Sequence, residues 1–204
     1  MIELSVRHGL KVQGLHHAVP GRVLFQGFSA HFPPGVSLLC GDEGTGKSTL
    51  LRLMAEQLPP ATAFWCDPQQ EAWAQRVCTD LLDEWLAPFG GGDAEDREIL
   101  ADLLDLTPHL HKPLYMLSAG SRRKLGLLAG FCSGAPVLLL DQPFAALDAA
   151  SVRQVCGLLA ECARRAGQGG HGGQRGQQVV IVADYVAPEG VPLVATVDLD
   201  QHPA

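Results

Sequence analysis

The stretch Gly41–Thr49, GDEGTGKST, constrains this chain more than any other. It fits the pattern G-x-x-x-x-G-K-[ST]. It follows a nearly all-apolar run, Val36–Cys40, and opens a helical pattern from Lys47 to about Leu58, closed by Pro59 and Pro60. Glycines between a buried strand and a helix let the backbone curl so that successive N–H groups point at one anion. The helix presents its positive end to the same anion. In such a loop Lys47 reaches the β- and γ-phosphates of a nucleotide, and Ser48 offers its hydroxyl to Mg²⁺. The candidate phosphate-binding residues are therefore Gly41, Gly44, Thr45, Gly46, Lys47, Ser48 and Thr49.

A second aliphatic run, Val137–Leu140, ends in Asp141 and Gln142. In a mostly parallel sheet, ligands bind at the carboxyl ends of the strands. A carboxylate there can hold Mg²⁺ directly or through water. Gln142 follows where acid–base work is often done, and its amide cannot take up a proton at neutral pH.

The rest of the chain fits one globular domain. It has 204 residues, 47% of them hydrophobic and 18% charged, enough to bury a core. The net charge of −7 argues against a nucleic-acid surface, which needs clustered Lys and Arg. The six cysteines are scattered without a C-x-x-C pair, as expected of free, buried thiols in a reducing compartment. Glu3 and Arg7 interrupt any signal-peptide core. The longest uncharged stretch, Leu125–Leu140, falls short of the ~20 apolar residues that span a bilayer.

Alternation in Ile2–Val6 and short β-like segments to about residue 32 predict strands broken by Gly9, Gly14, Pro20, Gly21 and Gly27. Ala61–Cys66, Val179–Ala183 and Leu193–Leu199 read as further strands. Trp73, Val77, Leu81 and Trp85 recur every four residues and predict a helix from Trp73 to Leu86. Glu95–Leu106 reads as an amphipathic helix with Ile99, Leu100, Leu103 and Leu104 on one side. Another helix starts near Ser121, and Ala149–Ala166 is helical. Residues 167–178, GQGGHGGQRGQQ, read as a mobile loop.

Residues 117–148, LSAGSRRKLGLLAGFCSGAPVLLLDQPFAALD, resemble an ATP-binding cassette (ABC) ATPase. The family signature L-S-G-G-Q corresponds to Leu117–Ser121, its strand ending D-E to Val137–Gln142, and its S-A-L-D loop to Ala145–Asp148. The resemblance implies an α/β P-loop NTPase fold. Its parts are a mostly parallel central sheet, an N-terminal antiparallel β subdomain and a small helical insert, here about 70–132. It also implies ATP and Mg²⁺ as cofactors. Two such domains stack head to tail as a homo- or heterodimer. The signature residues Ser118 and Gly120 then face the partner's nucleotide. The sensor glutamine, also a metal contact, is assigned to Gln69, with Gln70 beside it. No Tyr or Phe stands where an adenine-stacking residue is expected; His17 or Val19 occupies that place. Ala119 and Ser121 depart from the signature, and Arg122, Arg123 and Lys124 form a basic turn at that helix start, read as solvated or, alternatively, as attracting an anion.

Two departures fall on catalytic positions. Gln142 replaces the glutamate that polarises the attacking water, a contribution typically worth 10²–10⁴-fold. Asp184 replaces a histidine that contacts the γ-phosphate, and a carboxylate there repels phosphate unless protonated or bridged by metal. Gln142, Asp184 and Gln69 are the catalytic candidates. Ser48, Asp141 and Gln69 are the metal candidates. The reading is an ATP-binding, slowly hydrolysing subunit of an ABC transporter. It is expected to be cytoplasmic and peripheral on the inner face of the membrane, with a separate permease. The alternative is a soluble ABC-type protein in which ATP binding regulates assembly with little hydrolysis.

Overall fold

Continuous aliphatic runs build the centre of the molecule. In the computed structural model, which describes residues 1–5, 8–167 and 177–201, five parallel strands form one sheet. They are β4 (Gly35–Cys40), β5 (Ala63–Phe64), β6 (Val137–Asp141), β7 (Val179–Ala183) and β8 (Leu193–Asp198), in the order β5-β6-β7-β4-β8. Successive residues of a strand point to opposite faces. Val137 and Leu139 of β6, with Val179 and Ile181 of β7, therefore belong to one core. Leu138, Leu140, Val180 and Val182 belong to the other. Both faces are covered, as an all-parallel sheet requires.

The first core is closed by helix α1 (Lys47–Gln57) and a three-stranded antiparallel sheet, β1 (Ile2–Ser5), β2 (Gly9–Val19) and β3 (Arg22–Phe32). Gly14 and Gly27 do not break β2 and β3, as the sequence reading expected. They sit where the pairing register shifts, and the hairpin continues through those irregularities as two eleven-residue strands.

The second core is closed by α2 (Cys78–Leu86), α3 (Ala94–Leu103), α4 (Ala119–Cys132) and α5 (Ala149–Gly167). These helices depart from the sequence periodicity in two places. Trp73 lies in a 3₁₀ turn, Glu71–Trp73, and Val77 only precedes α2. Val77 is instead bridged to Pro113, which draws the chain out of helical geometry before Cys78. On α3 the expected apolar face is only half buried: Leu104 lies in the core and Leu100 packs against it. Ile99 and Leu103 are exposed, while Ala101, Leu104 and Leu106 are buried. The chain leaves the helix at Asp105, which has a φ of 55°, and that turn carries Leu106 inward. Most of the glycine-rich segment expected at 167–178 lies outside the described residues. Among the described residues, no helix is long and apolar enough to cross a membrane.

The strand order matters for function. β7 lies between β4 and β6, pairing Ala183 with both Leu39 and Asp141. The ends of these three strands therefore stand side by side at the carboxyl edge of the sheet, although far apart in sequence.

Candidate nucleotide site

The loop from β4 to α1 is shaped by Gly46 in particular. Its φ of 103° is left-handed, and a Cβ there would lie 2.9 Å from the Phe25 ring of β3. Both conditions select glycine. No side chain caps the N-terminus of α1, so its first N–H groups are left for an anion. Lys47 is buried and donates to the carbonyls of Gly41, at 2.5 Å, and Asp42, at 2.9 Å. A phosphate that takes more than one N–H of Nζ has to displace at least one of these acceptors. The loop is braced from three sides. Arg22 donates to the Gly44 carbonyl at 3.1 Å, Thr45 Oγ1 donates to the Asp42 carbonyl at 2.9 Å, and the Asp42 N–H donates to the Asp200 carboxylate at 2.9 Å.

Across β7, Asp141 closes β6 and accepts a hydrogen bond from the Ser48 side chain. Burial pushes its carboxyl above the usual carboxylate range, and the Ser48 hydrogen bond and the Arg123 charge pull it back. Its Oδ1 is buried without a hydrogen-bond partner. An orphaned carboxylate oxygen beside a hydroxyl is a hard-oxygen pair of the kind Mg²⁺ accepts, since that ion keeps several waters and needs few protein ligands. The residues fit Mg²⁺, with Ser48 and Asp141 as its holders. The metal would supply charge neutralisation at the phosphates.

These groups line a cavity of about 370 Å³ that also includes Asp67, Arg123 and Gln142. Gln142 has a φ of 44° and donates its N–H to the Ala183 carbonyl at 2.8 Å. That bond fixes the turn after β6 so that Gln142 lines the cavity. Gln69 is placed elsewhere. It is exposed, and its Nε2 donates to the Ala119 carbonyl at 3.2 Å. It thus links its loop to the signature helix and is not among the residues lining the cavity. Asp67, two residues earlier, faces the cavity instead, and its charge acts on Asp141.

The basic turn is not solvated as expected. Arg122 donates to the carbonyls of Leu117 and Tyr115, both at 3.2 Å. Arg123 crosses to the Asp141 carbonyl at 2.9 Å, and its charge acts on both Asp141 and Asp184. Lys124 is buried, 3.9 Å from Asp148. Each head group is drawn to a carbonyl or carboxylate of the neighbouring turn, which answers the unfavourable helix dipole.

The signature itself is compact. Ser118 is exposed and caps α4, accepting from the Ser121 N–H at 3.0 Å. Gly120 is buried against the Ala146 carbonyl of the following loop, leaving no room for a side chain. Asp148 then caps α5 through the Ser151 N–H at 2.9 Å, which holds its carboxyl below the usual range.

The family model for the AAA ATPase domain matches residues 22–199. An ABC transporter ATP-binding protein of Haemophilus influenzae is 30% identical over 163 residues, covering 72% of this chain and 68% of that protein. A cytochrome c biogenesis ATP-binding export protein, CcmA, of Hyphomonas neptunium is 35% identical over 150 residues, covering 69% and 77%.

The chain belongs to the ABC ATPases.

A further relative, a CcmA protein of Saccharophagus degradans, is 27% identical over 209 residues, covering 89% of this chain and 88% of that one. Among solved structures, an ATP-binding subunit of an ABC transporter superposes with a TM-score of 0.68 at 14% identity, covering 86% of this chain and 79% of the other. A dimeric bacterial ABC transporter cassette superposes at 0.65 and 13%, covering 86% and 88%. These two share the fold of this ABC ATPase. Within that fold Asp184 stands at the end of β7, where its N–H donates to the Leu39 carbonyl at 3.1 Å. Its Oδ1 accepts from the Tyr185 N–H at 2.7 Å. Burial raises its pKa, and that hydrogen bond and the charges of Lys47 and Arg123 oppose the rise.

Two participants escaped the sequence reading. Asp67 carried only the signal of an acidic residue after a strand. Tyr185 carried none beyond its adjacency to Asp184.

Proposed function

We propose that this chain is the ATP-binding subunit of an ABC transporter that works with a separate membrane permease. In this reading Mg-ATP is held by the Gly41–Thr49 loop, Ser48 and Asp141, and is closed over by Ser118 and Gly120 of a second domain. The carrying observation is the pairing of Ser48 with the orphaned Asp141 carboxylate beside an uncapped α1. The cargo we favour is the one in the relatives' name, export in cytochrome c biogenesis.

Turnover is slow in this reading. Gln142 cannot act as a general base, and Asp184 spends a carboxylate oxygen on its own turn. The permease docks in the groove of about 380 Å³ between the β5 edge and α2, where Trp85 and Phe89 line a surface beside Phe64. Trp73 stacks edge-on against Trp85 and belongs to the packing beneath. The protein then sits peripherally on the cytoplasmic face.

The test is light scattering of pure protein with Mg-ATP, together with co-purification from a membrane fraction. An ATP-dependent dimer and membrane recovery support the transporter subunit. An ATP-dependent dimer that never enters the membrane fraction favours the soluble regulatory reading, to which Gln142 also points. No response to ATP refutes both.

A further inference from the structure

The ring of Tyr185 lies over the Lys47 ammonium, 4.4 Å from Nζ to its centroid. In a loop of this kind that ammonium serves the β- and γ-phosphates. A side chain resting on it therefore stands at the edge of the phosphate site. The position follows from the sheet. β7 runs between β4 and β6, so the chain leaving Ala183 emerges directly beside the loop after β4. The Asp184 carboxylate accepts the Tyr185 N–H and so fixes how the tyrosine departs.

Core packing does not account for this ring. Tyr185 is 52% exposed, at the carboxyl edge of the sheet. Lys47 gives two of its three N–H directions to Gly41 and Asp42, and the ring face covers the ammonium from another side. A neutral phenol also suits a phosphate neighbourhood better than the Asp184 carboxylate, because it can donate a hydrogen bond and adds no negative charge.

We propose that Tyr185 contacts the nucleotide and distinguishes triphosphate from diphosphate. Its ring steadies Lys47 by a cation–π contact. Its hydroxyl donates to the terminal phosphate once Lys47 has exchanged the Gly41 and Asp42 carbonyls for phosphate oxygens. This inference rests on the reading of the same site as an ATP site.

The experiment measures Mg-ATP and Mg-ADP affinities by calorimetry for the full chain, Tyr185→Phe and Tyr185→Ala. Loss of one hydrogen bond to a charged group predicts that Tyr185→Phe binds Mg-ATP about tenfold more weakly while Mg-ADP stays within about twofold. Tyr185→Ala loses at least as much for Mg-ATP. Equal ATP-to-ADP preference in wild type and Tyr185→Phe overturns the proposal, as does equal weakening of both nucleotides. If wild type binds neither nucleotide, the ATP-site reading falls and takes this inference with it. If wild type binds and Tyr185→Phe is indistinguishable, only this inference falls. The phenylalanine variant keeps the ring at a half-exposed position, and an unchanged melting curve without nucleotide separates a lost contact from a lost fold.

Discussion

The carbonyl oxygen of Ala146 occupies the space that a side chain on Gly120 would need. The signature helix and the loop after β6 therefore meet backbone to backbone. In the proposed head-to-tail dimer, the signature helix faces the partner's nucleotide, so this contact would set the geometry on that side. Gly120→Ala forces backbone apart, because the opposing atom is a carbonyl and not a flexible side-chain end. We expect a loss of about 1–3 kcal/mol in urea unfolding, the usual range for overpacking. ATP-dependent dimerisation followed by light scattering should disappear with it. A variant that dimerises like wild type would show that this contact is only internal packing.

Lys47→Ala should remove nucleotide binding while leaving the fold intact. Charge-assisted hydrogen bonds are worth about 1.5–3 kcal/mol each, and contacts to two phosphates predict a drop of at least about a hundredfold in Mg-ATP affinity. Calorimetry gives the affinity, and far-ultraviolet circular dichroism checks the fold. Undiminished binding would place the phosphates elsewhere.

Gln142→Glu should raise ATP turnover by about a hundredfold or more, the lower end of general-base help. The backbone already holds this position in the cavity through the bond to the Ala183 carbonyl, so the new carboxylate lines the same space. Phosphate release under steady-state conditions is the measurement. Brisk wild-type turnover that the substitution leaves unchanged would mean another group orients the water. Asp184→Asn would then be the next comparison.

Cys66 should resist alkylation in the folded protein. Burial pushes its thiol up to about 12, against an ordinary 9.0, with the Asp67 charge adding to the rise. The folded state favours the protonated thiol. Its contribution to stability is therefore complete below pH 9 and declines as pH rises toward 12. Iodoacetamide labelling at pH 8, read by mass spectrometry, should modify Cys66 in urea and spare it in buffer. Rapid labelling of the native protein would show that the fold does not hold this half-buried thiol, whose sulfur packs over Gly126, in its protonated form.

The turn and helix start of the Gly41–Thr49 loop were legible because they are local. Spacing within nine residues dictates the turn, the lysine and the helix start. The aliphatic runs of β6 and β7 were equally plain, since strands covered on both faces need apolar residues at every step. On α3 the periodicity identified Leu100 and Leu104 as core-facing but not that Ile99 and Leu103 stay exposed, and the burial of Leu106 follows from the turn at Asp105, which lies outside helical periodicity.

The sequence by itself determined the local parts of the candidate site: a glycine-rich loop before a helix, a carboxylate ending an apolar strand, a signature-like turn, and a glutamine after the strand. Only the tertiary structure decided who meets whom. The placement of β7 between β4 and β6 puts Tyr185 on Lys47. It also sets Asp141 at the Ser48 hydroxyl. The packing of α4 on the sheet brings Arg123 to the Asp141 carbonyl and takes Gln69 to Ala119. Hydrophobic periodicity fixes which face of a strand is buried, but it is the same for every order of the strands. Contacts between residues a hundred positions apart depend on that order, and so they exist only in the folded chain.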